Sequence, residues 1–146
     1  MLSLTRAVIL AAEAHDGQVD KAGAPYILHP LRVMLQMDTD EERVVAALHD
    51  VLEDSHKPID LTEFSTRVRS AVAVLSHEKG QPYPEYIDEV SKDALATKIK
   101  MADLRDNIQV GRLLQLPLGE RARLVEKYIP ALSKLSQAKK AEKVLP

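Results

Sequence analysis

The chain of 146 residues has the length of one domain, and its complete lack of cysteine excludes disulfides, thiolate nucleophiles and thiolate zinc sites. The net charge of −2, with four tyrosines, one phenylalanine and no tryptophan, argues against non-specific nucleic-acid binding and against a stacking platform for single strands. No apolar run approaches the roughly 18 residues needed to span a membrane, and the N-terminal stretch lacks a clear signal-cleavage site. We therefore expect a cytoplasmic protein, a compartment that also suits the missing cysteines.

Apolar residues recur with helical spacing along the chain, and no stretch alternates with the period of a strand. The predicted helices cover residues 4–16, 30–37, 39–54, a short segment after 60, 66–76, 84–90, 94–110 and 119–142. Loops are predicted at 16–25 and 80–82. This pattern predicts an all-α, single-domain helical bundle over residues 1–146.

Several residues mark where the predicted helices begin or break. They are Pro30, the capping box of Thr39 with Glu42, Asp60 with Glu63, Pro84, Asp93, the loosening residues Gly111 and Pro117, and Pro130, which is expected to kink or break the last helix. The C-terminal helical region, residues 118–146, is amphipathic. A core-facing helix is the favoured interpretation, and a homodimer surface is the alternative.

The stretch Val44–Asp54 is an apolar run interrupted by His49 and Asp50 and closed by Glu53 and Asp54. On a continuous helix, residues four apart share a face, so His49 would stack with Glu53 and Asp50 with Asp54. Ionisable groups packed against apolar neighbours are costly unless their charge is compensated, which favours a metal ion. The alternative is an ordinary amphipathic helix with a solvated polar face.

Two further polar residues join this stretch as candidate metal ligands. His29 lies directly before the predicted second helix, and Asp103 lies on the predicted helix 94–110. Two imidazoles and two carboxylates suit a divalent transition metal such as Mn²⁺, Fe²⁺ or Zn²⁺. Taken alone, His29 also fits a structural histidine and Asp103 a surface residue.

The motif pattern resembles the HD superfamily of metal-dependent phosphohydrolases, and within it the alarmone-hydrolase branch. That branch comprises the guanosine 3′,5′-bis(diphosphate) 3′-pyrophosphohydrolase domain of the bifunctional stringent-response enzymes and its small stand-alone relatives. The motifs that carry the resemblance are AHDGQ (Ala14–Gln18), KAGAPYILHP (Lys21–Pro30), ALHDVLED (Ala47–Asp54) and KMADLRDN (Lys100–Asn107). They place a motif core over residues 14–113, and they imply an HD-type helical bundle.

The resemblance also implies a role for individual residues. The residues that match the family's metal ligands are His29, His49, Asp50 and Asp103. The acidic pair that orients or activates the attacking water corresponds to Glu53 and Asp54. Substrate contacts correspond to Lys21 and Asn107, with Tyr26 in the same motif as Lys21. His15 is interpreted as structural. Lys98 and Lys100 are candidates for offsetting substrate charge, although membership of a solvated helix face is the favoured interpretation for both.

One position departs from the family. Alarmone hydrolases usually carry Arg-Lys where this chain has Asp20-Lys21. An arginine can stack on a purine, whereas an aspartate cannot and repels phosphate. Either a neighbouring residue such as Arg105 or Arg112 supplies the contact, or the substrate differs.

The function implied is Mn²⁺-dependent hydrolysis of guanosine 3′,5′-bis(diphosphate) to GDP, or of its pentaphosphate to GTP, with release of pyrophosphate. The attacking water would be activated by the metal, and no covalent intermediate would form. We expect no synthetase domain, because a length of 146 residues leaves no room for a second domain of ordinary size. Two alternatives stay open: a phosphohydrolase of another nucleotide, such as NADPH or a 3′-phosphorylated adenosine nucleotide, and a non-catalytic nucleotide-binding regulatory module.

Overall fold

The computed structural model describes residues 4–144, so the predicted domain limits at 1 and 146 lie outside the described residues. The chain is all-helical, and within 4–144 the only extended pairing is an isolated bridge between Val19 and Pro25. The helices are α1 (Leu4–Ala14), α2 (Leu28–Leu35), α3 (Asp40–Leu48), α4 (Val51–Asp54), α5 (Thr66–Leu75), α6 (Tyr83–Ser91), α7 (Ala94–Asn107), α8 (Val110–Leu113) and α9 (Leu118–Val144). The predicted all-α bundle is confirmed.

Helices α3 and α7 form the centre of the bundle. Residues 44–48 of α3 are all buried, because α1, α2 and α5 pack around that helix. Helix α7 contacts α2, α3, α5, α6 and α9, and it has little amphipathic character because it is covered on several sides. Both helices therefore carry their polar side chains into the interior of the protein.

Local sequence signals account for the starts of helices α3, α7 and α6. The Thr39 hydroxyl accepts from the Glu42 amide while the Glu42 carboxylate accepts from the Thr39 amide, so the predicted capping box is confirmed. The Asp93 carboxylate accepts from the Ala96 amide and caps α7. Pro84 lies in the first turn of α6, as predicted.

The predicted continuous helix over 39–54 is wrong, because the backbone leaves the α-helix at His49 and Asp50. The His49 Nδ1 donates to the Ala46 carbonyl at 2.7 Å, which is the carbonyl that the Asp50 amide would use in a regular helix. The side chain thus competes with the helical hydrogen bond. Leu52, which belongs to the apolar run Val44–Asp54 and was expected to be buried, is 40% exposed.

Other boundaries also differ from the prediction. His29 lies inside α2, not before it. The segment after Asp60 is a turn held by a hydrogen bond from the Thr62 amide to the Asp60 carboxylate, not a helix. Helix α7 ends at Asn107, and a separate α8 follows that contains Gly111.

The last helix runs unbroken through Pro130, although this residue has no amide hydrogen to donate. The predicted kink or break at Pro130 thus does not interrupt α9, which packs against α6 and α7. Leu124, Ala131 and Leu135 are buried, in agreement with the core-facing interpretation of this helix. Within the described part of the chain, no helix combines the length and apolar character needed to cross a bilayer.

Candidate metal and hydrolytic site

The structure brings the four predicted metal ligands together from three separate parts of the chain. His29 comes from α2, His49 and Asp50 from the break between α3 and α4, and Asp103 from α7. The His29 Nε2 lies 2.9 Å from Asp103 Oδ1 and 3.6 Å from Asp50 Oδ2. The His49 Nε2 lies 3.0 Å from Asp50 Oδ2 and 3.7 Å from Asp103 Oδ1. All four side chains are buried.

The helix break explains how two consecutive residues reach the same point. Neighbouring residues on a regular helix do not face each other, because successive side chains are about 100° apart. The break after Leu48 removes that constraint for His49 and Asp50. Glu53 and Asp54 follow one turn later, on the short helix α4.

Hydrogen bonds fix the ring nitrogen that each histidine presents to the site. The His49 Nδ1 is bonded to the Ala46 carbonyl, which can only accept, so Nδ1 carries a hydrogen and Nε2 is the ring nitrogen that faces Asp50. The His49 Nε2 is fully buried and has no hydrogen-bond partner with acceptable geometry. The His29 Nδ1 lies 2.6 Å from the Asp106 Oδ2, which leaves its Nε2 for Asp103 and Asp50.

A buried imidazole nitrogen without a hydrogen-bond partner is the arrangement expected of a metal ligand. His29, His49 and Asp50 each offer a ligand atom, and these atoms lie within 4.8 Å of one another. Imidazole and carboxylate ligands suit divalent transition metals, whereas calcium prefers oxygen ligands alone. The described residues therefore fit a divalent transition metal.

The imidazoles and carboxylates also compensate one another's charge. Burial lowers the pKa of His29, but the Asp103 and Asp106 carboxylates outweigh this effect and raise the pKa to about 9. Burial likewise opposes protonation of His49, yet the Asp50 carboxylate raises the pKa of His49 well above its ordinary value. Burial raises the pKa of Asp50, and His49 overcomes that effect and lowers it to about 2.

Asp103 is held in place by two neighbours on its own helix. The Lys100 ammonium donates to Asp103 Oδ2 at 2.7 Å, and the Asn107 amide donates to Oδ1 at 2.8 Å. Burial raises the pKa of Asp103, but the charge of Lys100 holds it well below its usual range. The Lys100 side chain is only 13% exposed, so its assignment to a solvated helix face is wrong. Lys98, by contrast, lies on another face of α7, where its ammonium pairs with the carboxylates of Asp38 and Glu42.

The acidic pair Glu53 and Asp54 lines the open side of the site. Partial loss of hydration is the largest cause that raises the pKa of both carboxyls, and the nearby Asp50 charge adds to it. The Tyr26 hydroxyl donates to Asp50 Oδ2 at 2.7 Å and lies 3.2 Å from Asp54 Oδ2. Tyr26 thus links a candidate metal ligand to a candidate catalytic carboxylate.

A cavity of about 360 Å³ opens onto these groups. All of the predicted site residues except the buried His49 line this cavity. Lys21 lies at its edge, where its ammonium is 3.2 Å from Glu120. Helix α9 contributes Leu124 and Tyr128, so the C-terminal region forms part of the cavity wall.

Asp20 lines the cavity, but both of its carboxylate oxygens have partners. Its Oδ1 accepts from the amides of Ala22 and Ala24, which tightens the loop, and its Oδ2 lies 3.2 Å from Arg112 Nη2. Arg112 lines the cavity beside it, whereas Arg105 lines a separate groove. The negative charge of Asp20, the residue that departs from the family pattern, is therefore compensated by Arg112 of α8.

Sequence reasoning missed Asp106, which is buried and contacts both His29 and Arg32. The signal was present, since Asp106 falls on the apolar stripe of α7 with Leu95, Ile99 and Ala102. A carboxylate on a buried stripe needs a partner. His15 fits its structural interpretation, because it is buried beside Tyr26 and its Nδ1 bonds to Gln18.

The chain is similar to bacterial enzymes of alarmone metabolism. It is 32% identical to the guanosine-3′,5′-bis(diphosphate) 3′-pyrophosphohydrolase of Aquifex aeolicus over 120 aligned positions, which cover 73% of this chain and 17% of that protein. It is 33% identical to the enzyme of the same name from Vibrio cholerae, over 71% of this chain and 13% of the relative. The GTP pyrophosphokinase of Myxococcus xanthus is 29% identical over 90% of this chain and 20% of its own length. The chain thus spans a fifth or less of the length of these curated relatives.

A solved structure has the same fold over almost its whole length. This metazoan ortholog of SpoT, described as hydrolysing ppGpp, superposes with a TM-score of 0.70 and is 22% identical. The match covers 97% of this chain and 96% of that one. No family model matches the chain.

We predict that the unfolding free energy of EDTA-treated protein falls as the pH rises from about 6.5 to about 9. The folded protein keeps the His29 proton across this window while the unfolded chain releases it, so folding takes up a proton and a higher pH opposes it. Urea unfolding followed by circular dichroism at several pH values measures the effect. The unfolding free energy of the variant His29→Gln should depend less on pH. A wild-type unfolding free energy that stays constant or rises over this pH range would contradict the raised pKa of His29.

Proposed function

We propose that this chain, which belongs to the HD-type hydrolase family of the guanosine 3′,5′-bis(diphosphate) enzymes, hydrolyses the 3′-pyrophosphate of that nucleotide. The observation that carries the proposal is the convergence of His29, His49, Asp50 and Asp103 at the end of a cavity lined by acidic and basic side chains. The similarity to 3′-pyrophosphohydrolases supports the choice of substrate.

The proposed metal ligands are His29, His49, Asp50 and Asp103. We propose Mn²⁺ as the ion. A mixed set of imidazoles and carboxylates suits Mn²⁺, and it suits Fe²⁺ and Zn²⁺ as well. When bound, a divalent cation supplies Lewis acidity, which lowers the pKa of water and withdraws electron density from a phosphoryl oxygen.

Glu53 and Asp54 are the proposed catalytic carboxylates. Each faces the cavity, and each has a raised pKa, which suits a group that must take a proton from water near neutral pH. The water oxygen forms a bond to the phosphorus next to the ribose, and the bond from that phosphorus to the 3′ oxygen breaks. Pyrophosphate leaves, and the 3′ oxygen acquires a proton. No residue of the cavity needs to form a covalent intermediate.

Basic side chains offset the substrate's negative charge in this proposal. Lys21 and Lys100 both line the cavity, and Lys100 is already positioned by its ion pair with Asp103. Asn107 combines two contributions: its amide orients Asp103, and the side chain faces the cavity where the ribose–phosphate would lie. The Tyr26 hydroxyl keeps Asp50 and Asp54 in a fixed relation.

Arg112 is the proposed replacement for the arginine that the family usually carries at position 20. Its guanidinium lies at the cavity wall and is held by Asp20, so a planar cation remains available to a purine. Because Asp20 is paired, it does not add a free negative charge beside the phosphates. This pairing removes the reason to favour another nucleotide.

We further propose that residues 1–146 act as one domain in the cytoplasm, with the motif core at 14–113 and α9 completing the cavity wall. The contribution of Leu124 and Tyr128 to the cavity supports this role for α9. The burial of three α9 residues in the core favours that role over a homodimer surface.

We predict that Asp50→Asn loses both Mn²⁺ binding and turnover, because it removes a charged metal ligand. Glu53→Gln should keep the metal and lose about 10²–10⁴-fold in kcat, the range expected for a positioned general base. The matched control Glu85→Gln, an exposed residue in the first turn of α6, should keep full activity. Titration of Mn²⁺ beside steady-state kinetics separates the two effects. Normal hydrolysis by Asp50→Asn would refute the mechanism.

We also predict that Mn²⁺-loaded protein releases pyrophosphate from guanosine 3′,5′-bis(diphosphate) faster than it releases phosphate from NADPH or a 3′-phosphorylated adenosine nucleotide. Arg112→Ala should raise KM for the guanosine substrate with a smaller effect on kcat, because it removes binding shared by the ground and transition states. The exposed Arg105→Ala, in the separate groove, is the control. A preference for NADPH would replace the proposed substrate, and binding without any turnover would indicate a regulatory module.

A further inference from the structure

Asp106 is a buried carboxylate that lies behind the cavity, on the side of His29 away from the proposed metal. It is 7% exposed and has three basic neighbours. The Asp106 Oδ2 lies 2.6 Å from His29 Nδ1, and Arg32 donates to both carboxylate oxygens, at 2.8 Å from Nε and 3.0 Å from Nη2. The Arg112 Nη1 is 3.9 Å from the same Oδ2.

We propose that Asp106 and Arg32 form a positioning pair that fixes the tautomer and orientation of His29, so that the His29 Nε2 lone pair points at the metal. This inference rests on the proposed function, since it assumes that His29 is a metal ligand. Metal-bound histidines generally donate their other ring hydrogen to a carboxylate or carbonyl, and such partners tune metal affinity. Asp106 occupies that place for His29, as the Ala46 carbonyl does for His49.

Arg32 has a distinct part in this arrangement. It binds Asp106 through two parallel hydrogen bonds, which is the geometry that best restricts a carboxylate. One carboxylate oxygen is shared between Arg32 and His29, so the arginine sets the plane in which Asp106 meets the imidazole. Arg32 lies one helical turn after His29 on α2, so this contact also fixes the ligand helix against α7.

A simple salt bridge between α2 and α7 is the competing explanation, and it predicts a different outcome. A pair that only joins two helices would affect folding stability but not metal affinity in molecules that remain folded. A positioning pair affects metal affinity because it controls which imidazole nitrogen carries the hydrogen. The two explanations therefore separate on metal binding by folded protein and on the tautomer of His29.

The decisive variant is Asp106→Asn. The carbonyl oxygen of asparagine can replace only one of the two carboxylate oxygens, so its NH₂ group faces either Arg32 or His29. An NH₂ turned toward His29 would favour the tautomer with hydrogen on Nε2. Such an imidazole offers no lone pair to the metal. Arg32→Met keeps the carboxylate but removes its restraint. Arg105→Met is the matched control, because Arg105 is an exposed neighbour of Asp106 in sequence and lines the same outer groove as Arg32.

The experiment measures Mn²⁺ affinity by the loss of the free-ion electron paramagnetic resonance signal, with urea unfolding of each EDTA-treated variant to establish that it is folded. We expect Asp106→Asn to weaken Mn²⁺ binding by about 10–100-fold. Arg32→Met should weaken it by less, and Arg105→Met should match wild type. Nitrogen-15 NMR of the imidazoles at alkaline pH, where they are neutral, should find His29 with hydrogen on Nδ1 in wild type and shifted toward Nε2 in Asp106→Asn.

The proposal requires both the weaker Mn²⁺ binding and the shifted His29 tautomer in Asp106→Asn. Unchanged Mn²⁺ affinity in folded Asp106→Asn, or an unchanged His29 tautomer, overturns it. If Asp106→Asn does not fold, Arg32→Met decides by its Mn²⁺ affinity, and an unchanged affinity in that variant overturns the proposal. Neither readout needs substrate, so a failure here leaves the proposed hydrolysis intact. Conversely, a wild-type protein that binds Mn²⁺ with the expected tautomer but hydrolyses no nucleotide removes the proposed function alone.

Discussion

The interruption of the helix after Leu48 is the constraint on which the site depends. It allows His49 and Asp50, which are adjacent in the chain, to face one point in the interior. The same hydrogen bond that competes with the helix, from His49 Nδ1 to the Ala46 carbonyl, also directs the other ring nitrogen toward the site. A local backbone feature thereby sets both the position and the tautomer of a proposed ligand. A continuous helix would turn one of the two side chains away.

Charge compensation follows from the burial of these groups. Imidazoles and carboxylates in a buried space are costly unless their charges are compensated, and here Asp50 and Asp103 lie within ion-pair distance of His29 and His49. Asp103 is balanced by Lys100, and Asp106 by Arg32, so the acidic groups around His29 are held in defined orientations. The pair of Asp20 and Arg112 also lines the cavity and joins the first loop to α8. The cavity is therefore lined by both acidic and basic side chains, an arrangement suited to a metal and a phosphorylated nucleotide together.

The sequence predicted the helical bundle because apolar periodicity and capping residues act locally, and the family resemblance of its motifs predicted that the four proposed ligands converge. The capping box at Thr39 and the cap at Asp93 are examples in which one or two residues suffice. The helix break at His49 was missed because it depends on a side chain competing for a carbonyl, which periodicity does not reveal. The burial of Lys100 was missed for a related reason. It depends on α6 and α9 covering that side of α7, and such contacts appear only when the chain is folded.

The most direct test of this account is anomalous X-ray scattering from crystals of the wild-type protein loaded with Mn²⁺. The account predicts a single strong peak bounded by the Nε2 atoms of His29 and His49 and by carboxylate oxygens of Asp50 and Asp103. An active enzyme whose manganese peak lies elsewhere, with these four side chains not bound to the ion, would contradict it.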